Sequence, residues 1–274
     1  MTTAELLGAR RLRELMARYG AAPKRSLGQN FVIDPNTIRK VLDVAALSPA
    51  DRVLEVGAGC GSLTLGLASR AAEVVALEID DRLVALLGES LAGVQNVRVV
   101  QADALEFPYA DADATSVVGN LPYNIAAHLV LKILEDAPAI SKLTVMTQRE
   151  VGERLAAAAG SKAYGQTSVM VRYFGRAQVA AQISRRAFFP VPNVDSVVVR
   201  IEREDAPDVD RDVLFSIVKA AFSQRRKNLR NTIGSVAGSP ERAEEALSRA
   251  GIDPRARGEE LDLDAFVALA REIT

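Results

Sequence analysis

From residue 35 to about residue 148, short runs rich in β-branched residues alternate with amphipathic stretches. This alternation narrows the available folds more than any other feature. Successive parallel strands need crossovers, and helical crossovers bury the sheet on both faces. The strand candidates are 52–56, 73–79, 97–101, 115–118 and 142–147. Helical spacing falls between them at 36–47, where Ile38, Val41, Leu42 and Ala45 recur on one side, and at 62–70, 80–91 and 125–135. Ser62 and Asp80 are expected as helix N-caps. A helix-like stretch at 166–174, a strand at 178–183, a proline-interrupted loop at 188–193 and a strand at 196–202 extend the sheet.

The acid-rich stretch 204–211 reads as a linker, and the residues beyond it are helical in period. The expected organisation is a basic helical extension over 1–23, a Rossmann-like α/β domain over 24–204 and a small all-helical domain over 205–274. In the extension, Leu12, Leu15, Met16 and Tyr19 are spaced as on a loosely attached helix. The chain has 274 residues, about half apolar (49%), enough for a substantial core. It has neither an uninterrupted apolar run of roughly 18–20 residues nor the apolar core of a signal peptide, so a cytoplasmic, monomeric enzyme subunit is expected. One cysteine, Cys60, excludes an internal disulfide, and one histidine, His128, leaves no His/Cys cluster for a metal.

The net charge of −1 conceals two basic segments. Residues 10–25 hold Arg10, Arg11, Arg13, Arg18, Lys24 and Arg25 against Glu14 alone, and residues 219–230 hold Lys219, Arg225, Arg226, Lys227 and Arg230 against no acid. Such runs suit phosphates, though a solvated helix face has the same composition.

The first strand ends in Gly57-Ala58-Gly59-Cys60-Gly61-Ser62, a turn tight enough to bring backbone close to a nucleotide-like ligand. Glu78 closes the second strand 21 residues after Gly57, where a carboxylate can accept from both ribose hydroxyls. Asp103 follows the third strand and can accept from an adenine amine. The glycine order is G-x-G-x-G with Ser62 where a dinucleotide fingerprint has glycine, so NAD is the second choice of cofactor. Cys60 is expected to be a small filler.

The fourth strand runs into Asn120-Leu121-Pro122-Tyr123. An adenine amine is a poor nucleophile because its lone pair is delocalised into the ring. Acceptors aimed at its hydrogens favour the pyramidal form, and the Asn120 side-chain oxygen and Leu121 carbonyl supply two. Pro122 stiffens the loop, and Tyr123 offers a ring for a flipped base. The protonated product sheds its proton readily, so a strong general base is unnecessary; His128 is expected to be structural.

With these motifs, and with Ser26 to Phe31, Gly160 to Gly165, Phe188 to Ser196 and Ala221 to Lys227, the chain resembles the ribosomal RNA adenine dimethyltransferase family from about Lys24 to Ala270, most of all its small-subunit branch. Two departures stand out: Val191 takes the place of a proline, and the basic stretch before Lys24 is long. The resemblance implies an S-adenosyl-L-methionine cofactor held by Asn30, Val32, Gly57, Gly59, Glu78, Asp103 and Asn120. It further implies a target base between Tyr123 and Phe188, with Phe189 as the alternative ring. Arg225, Arg226, Lys227 and Arg230 would meet RNA, and the product would be N6,N6-dimethyladenine at two adjacent adenines in the 3′-terminal hairpin of 16S rRNA within the small ribosomal subunit. Three other readings stand beside this one: a large-subunit adenine methyltransferase conferring macrolide resistance, a non-catalytic ribosome-assembly module, and an NAD-dependent oxidoreductase, for which no hydride-transfer site is visible.

Overall fold

The computed structural model describes residues 6–224 and 227–273. In chain order the elements are α1 (Ala9–Arg18), β1 (Phe31–Val32), α2 (Pro35–Ala45), β2 (Arg52–Val56), α3 (Ser62–Ala68), β3 (Glu73–Glu78), α4 (Asp81–Ser90), β4 (Val97–Gln101), β5 (Ser116–Asn120), α5 (Ala126–Asp136), β6 (Lys142–Gln148), α6 (Arg149–Leu155), α7 (Gln166–Phe174), β7 (Gly175–Ile183), β8 (Phe188–Phe189) and β9 (Ser196–Arg203). After these come α8 (Arg211–Phe222), α9 (Leu229–Thr232), α10 (Gly234–Ala237), α11 (Pro240–Arg249) and α12 (Leu263–Ile273).

One unit comprises the described residues through Gly152 together with Ala177–Arg203. Its sheet runs β4-β3-β2-β5-β6-β9-β7, parallel from β4 to β6, with β9 antiparallel to β6. The order reverses between β2 and β5, the switch point at which a doubly wound sheet opens a crevice beyond its strand ends. As expected for a central parallel strand, Val53 to Val56 are all buried. Thus the Rossmann-like sheet expected from the alternation is present.

The α1 helix is a fixed part of this unit rather than a loose attachment. Leu12, Leu15 and Met16 are buried against Leu83, Leu86 and Leu87 of α4. Beside them Glu89 takes ion pairs from Arg11 and Arg18 and accepts from the Tyr19 hydroxyl at 3.1 Å. Apolar burial fastens the helix, and one acid absorbs two of its positive charges. At the next helix start, Asp80 caps α4 by accepting from Arg82 N, as expected. Ser62 does not cap α3: Gly61, with φ at +88°, takes that place, and Ser62 falls inside the helix.

The second unit joins Glu153–Arg176 to the described residues from Glu204 onward. The stretch 153–176, assigned to the sheet domain from sequence, therefore belongs with the helices. The reason is aromatic: Tyr173 meets Phe215 edge-on at 5.3 Å, Tyr164 meets Phe222 at 5.9 Å, and the Tyr164 hydroxyl donates to the Leu261 carbonyl at 2.7 Å.

The proline-interrupted loop after residue 187 begins with a short strand, β8, which pairs antiparallel with β1 through Phe31↔Phe189 and Val32↔Phe188. This ladder turns the Phe188 ring into the core beside Ile38, Val118 and Met146, with no exposed surface. Phe188→Ala should destabilise the protein by about 3–5 kcal/mol. Chemical denaturation checks this, and a loss under about 1 kcal/mol would contradict the packing.

Candidate active site

A cavity of about 250 Å³ opens at the ends of β2, β3, β4 and β5. It is walled by the glycine turn, Glu78, Asp103, the Asn120–Tyr123 loop and the segment from Ser26 to Phe31. The sheet thus brings together Asn30, Gly57, Gly59, Glu78, Asp103, Asn120, Leu121, Pro122 and Tyr123, although they span more than ninety residues of sequence.

The glycine turn is fixed from below. The N–H groups of Gly57 and Ala58 donate to the Leu77 carbonyl at 3.0 and 2.9 Å. Gly59 has φ at +58° and sits so close to Phe31 that a Cβ would stand 3.0 Å from its ring, so backbone strain and a tight contact both disfavour a side chain. Gly59 N donates to Glu78 Oε2 at 2.8 Å, while Ile79 N and Asp80 N both donate to Oε1 at 3.0 Å. Glu78 therefore holds the turn as well as facing the cavity. Burial raises its pKa above the ordinary carboxylate range against these three hydrogen bonds. Asp103 accepts from Leu105 N at 2.8 Å, which orients its carboxylate at the cavity edge.

Asn120 is oriented by chemistry. Its Nδ2 donates to the Asn30 carbonyl at 2.7 Å, and since that carbonyl can only accept, the Oδ1 must face the other way. The Oδ1 is buried and meets no partner among the described residues. The Leu121 N–H donates to the Met146 carbonyl at 3.0 Å, and Pro122 accepts from Ile125 N at 3.2 Å as α5 begins. The Tyr123 hydroxyl shares a 2.7 Å hydrogen bond with Ser196 Oγ at the start of β9, tethering the ring. Burial raises the Tyr123 pKa, keeping the phenol neutral at physiological pH.

Several residues fall elsewhere. Phe188 is not a wall of this cavity, because the β1–β8 ladder directs it into the core. Val32, paired with it, is buried among the same core side chains and borders a void of about 30 Å³ behind the glycine turn. Phe189 is partly exposed and carries the Arg13 guanidinium 5.3 Å from its ring centre. Cys60 is buried, and burial pushes its thiol up to about 12, as suits a filler. His128 lies exposed on α5. Of the basic C-terminal run, Arg225 and Arg226 lie outside the described residues. Lys227 is exposed, whereas Arg230 is held by Glu241 and Glu244 of α11, so its charge is answered within the helical unit.

Three features of the site were missed in the sequence. Ser196, which anchors Tyr123, and the pairing of Lys24 with Asp80 at 2.7 Å are visible only once the chain is folded. Glu55 had a signal: a carboxyl in the run Val53-Leu54-Glu55-Val56 must be buried. Neither of its oxygens meets a partner at hydrogen-bond geometry among the described residues. Burial, with Glu78 adding repulsion and the Thr64 hydroxyl offsetting only part, pushes its pKa up to about 8.

The family model described as ribosomal RNA adenine dimethylase matches residues 20–274. The chain belongs to this family. The ribosomal RNA small subunit methyltransferase A of Leifsonia xyli subsp. xyli is 45% identical over 280 residues, covering 98% of this chain and 99% of that one. The solved 23S rRNA methyltransferase ErmE is 30% identical with a TM-score of 0.69, covering 89% of this chain and 99% of that chain. A dimethyladenosine transferase from Plasmodium falciparum shares the fold, with a TM-score of 0.78 at 23% identity over 87% of this chain and 95% of that one.

Within this family site, Glu55 makes a pH-dependent contribution whose sign is fixed. Folded, the carboxyl stays protonated to about pH 8; unfolded, it ionises near its ordinary value of 4.5. The folded state thus binds the extra proton in that window, and stability falls as pH rises. Relative to the wild type, Glu55→Gln should gain stability between those pH values, by up to about 1.4 kcal/mol per pH unit. Parallel wild-type and variant stability curves from urea titrations would show that Glu55 is ionised in the fold.

Proposed function

We propose that this protein transfers methyl groups from S-adenosyl-L-methionine to the N6 amines of two adjacent adenines near the 3′ end of small-subunit rRNA, working on the small ribosomal subunit in the cytoplasm. One observation carries the reading. Asn120, with its Nδ2 committed to Asn30 and its buried Oδ1 unpartnered among the described residues, is a wall of the cavity that Glu78 and Asp103 also line. Acceptors for an amine thus adjoin acceptors for a nucleoside.

The residues present fit the cofactor. Glu78 Oε2 accepts one backbone N–H and retains a lone pair for a ribose hydroxyl, Asp103 stands one strand further along, and Gly59 leaves the backbone bare. When bound, S-adenosyl-L-methionine supplies an electrophilic methyl group on a sulfonium. The chain supplies position and polarisation. Asn120 Oδ1 and the Leu121 carbonyl draw the amine hydrogens, concentrating the lone pair on nitrogen. The Tyr123 ring, tethered through Ser196, offers the stacking face. With Phe188 buried, a second wall has to come from elsewhere, and Phe189 already carries Arg13.

The small-subunit substrate is supported by identity: 45% to the Leifsonia small-subunit enzyme against 30% to ErmE, over comparable lengths. RNA would meet Lys227, with Arg225 and Arg226 beside it in sequence, rather than Arg230, which α11 neutralises. Against a binding module stands the unspent acceptor of Asn120, which RNA affinity alone does not require.

Asn120→Ala should lower turnover at least about a hundredfold at saturating S-adenosyl-L-methionine while changing RNA affinity far less, because the interaction strengthens as the amine becomes pyramidal. Single-turnover methyl transfer checks it. Near-normal turnover would exclude this mechanism, and parallel loss of RNA binding and turnover would favour the binding module.

A further inference from the structure

The segment from Ser26 to Asn30 walls the cavity ahead of β1 and outside the sheet, so contacts beyond the sheet must hold it there. Its geometry converges on Lys24. The Lys24 carbonyl accepts from Leu27 N at 3.2 Å and Gln29 N at 3.3 Å, and its own N–H donates to Gln29 Oε1 at 2.9 Å. Residues 24–29 therefore form a closed turn that moves with Lys24. The Lys24 ammonium reaches Asp80 Oδ2 at 2.7 Å, and that carboxylate is only 3% exposed. Asp80 lies two residues beyond Glu78, to which its N–H donates, and its Oδ1 caps α4 through Arg82 N. At the far end, the Asn30 carbonyl takes the Asn120 amide, and Gly28 lies so close to the target loop that a Cβ would stand 2.9 Å from Asn124 Oδ1 and 3.2 Å from Tyr123 N.

The two ends of this strap differ in kind. The Asn30 end joins the amine-binding loop through a part-buried hydrogen bond, whereas the Lys24 end joins the Glu78 side through an ion pair whose cation is 43% exposed, with Gln29 Nε2 adding a long 3.5 Å contact to the same Asp80 oxygen. The second is the one that salt and solvent can open. We propose that the Lys24–Asp80 ion pair is the latch of this strap, so that Lys24 and Asp80 are positioning residues that set how long the cofactor stays in the cavity. This rests on the cavity's being the S-adenosyl-L-methionine site. Neither residue donates to or accepts from the reacting groups; each acts through the strap.

The test uses the full chain and labelled S-adenosyl-L-methionine chased with excess unlabelled compound. Lys24→Met should speed release roughly five- to tenfold, and Lys24→Arg should restore slow release. Asp80→Asn removes the charge while keeping an acceptor for the α4 cap, so the helix start survives. It should speed release at least as much, because it also weakens the 3.5 Å contact from Gln29 Nε2, and the double variant should add little to Asp80→Asn alone, since the ion pair is already open. Added salt should accelerate release from the wild type and leave Lys24→Met nearly unchanged. Amide exchange at Leu27 and Gln29 in the free protein should quicken in Lys24→Met, a readout independent of methyl transfer. Unchanged release in the single variants, or fully additive effects in the double variant, would overturn the latch while the cofactor reading stands. Failure of the wild type to bind S-adenosyl-L-methionine would overturn the cofactor reading and the latch together.

Discussion

Glu78 ties the end of β3 to the glycine turn that ends β2, and the geometry of the site follows from that clasp. Its carboxylate gathers the N–H groups of Gly59, Ile79 and Asp80, which no strand or helix would otherwise satisfy. Without it, the buried donors of Gly59 and Asp80 would be orphaned and the turn would lose its fixed distance from the neighbouring strand. The same carboxylate orients Asp80, and through Asp80 both the start of α4 and the strap carrying Lys24. A residue expected simply to bind ribose is thus also a structural keystone. Its raised pKa reflects the burial that this double duty requires.

Around that clasp the site divides into an acceptor-rich nucleoside end and an amine end. Asn120 belongs to both, because the strap that fixes its amide also walls the cavity. Two buried carboxyls, Glu55 and Glu78, stand near one another behind the turn, and only Glu78 has backbone donors to support a charge. Keeping Glu55 protonated lets a second acid stay in the apolar sheet without setting a like charge against Glu78.

Much of this architecture was legible in the sequence, for identifiable reasons. Short runs rich in β-branched residues located the parallel strands to within a few residues, and Gly57, Glu78, Asp103 and Asn120 could be read as a site because strand ends in such a sheet converge. What failed depended on long-range packing. Residues 153–176 follow the sheet in sequence, yet Tyr164 meets Phe222 and Tyr173 meets Phe215, both on a later helix. Phe188 looked available for stacking because nothing local shows that Val32 pairs with it and turns its ring inward. Arg230 looked free because Glu244 lies fourteen residues away in sequence. Ser196 looked like part of a loop motif, whereas its hydroxyl positions Tyr123 from 73 residues away.

The central claim is that the acceptors at Asn120 and Leu121 serve methyl transfer to adenine on the small subunit. The most direct measurement supplies the protein with labelled S-adenosyl-L-methionine and either unmethylated small or unmethylated large ribosomal subunits, then digests the RNA and maps the labelled nucleoside. The account predicts N6,N6-dimethyladenosine at two adjacent positions near the 3′ end of the small-subunit RNA and none in the large. Label in the large subunit, or subunit binding with no label in either, would contradict it.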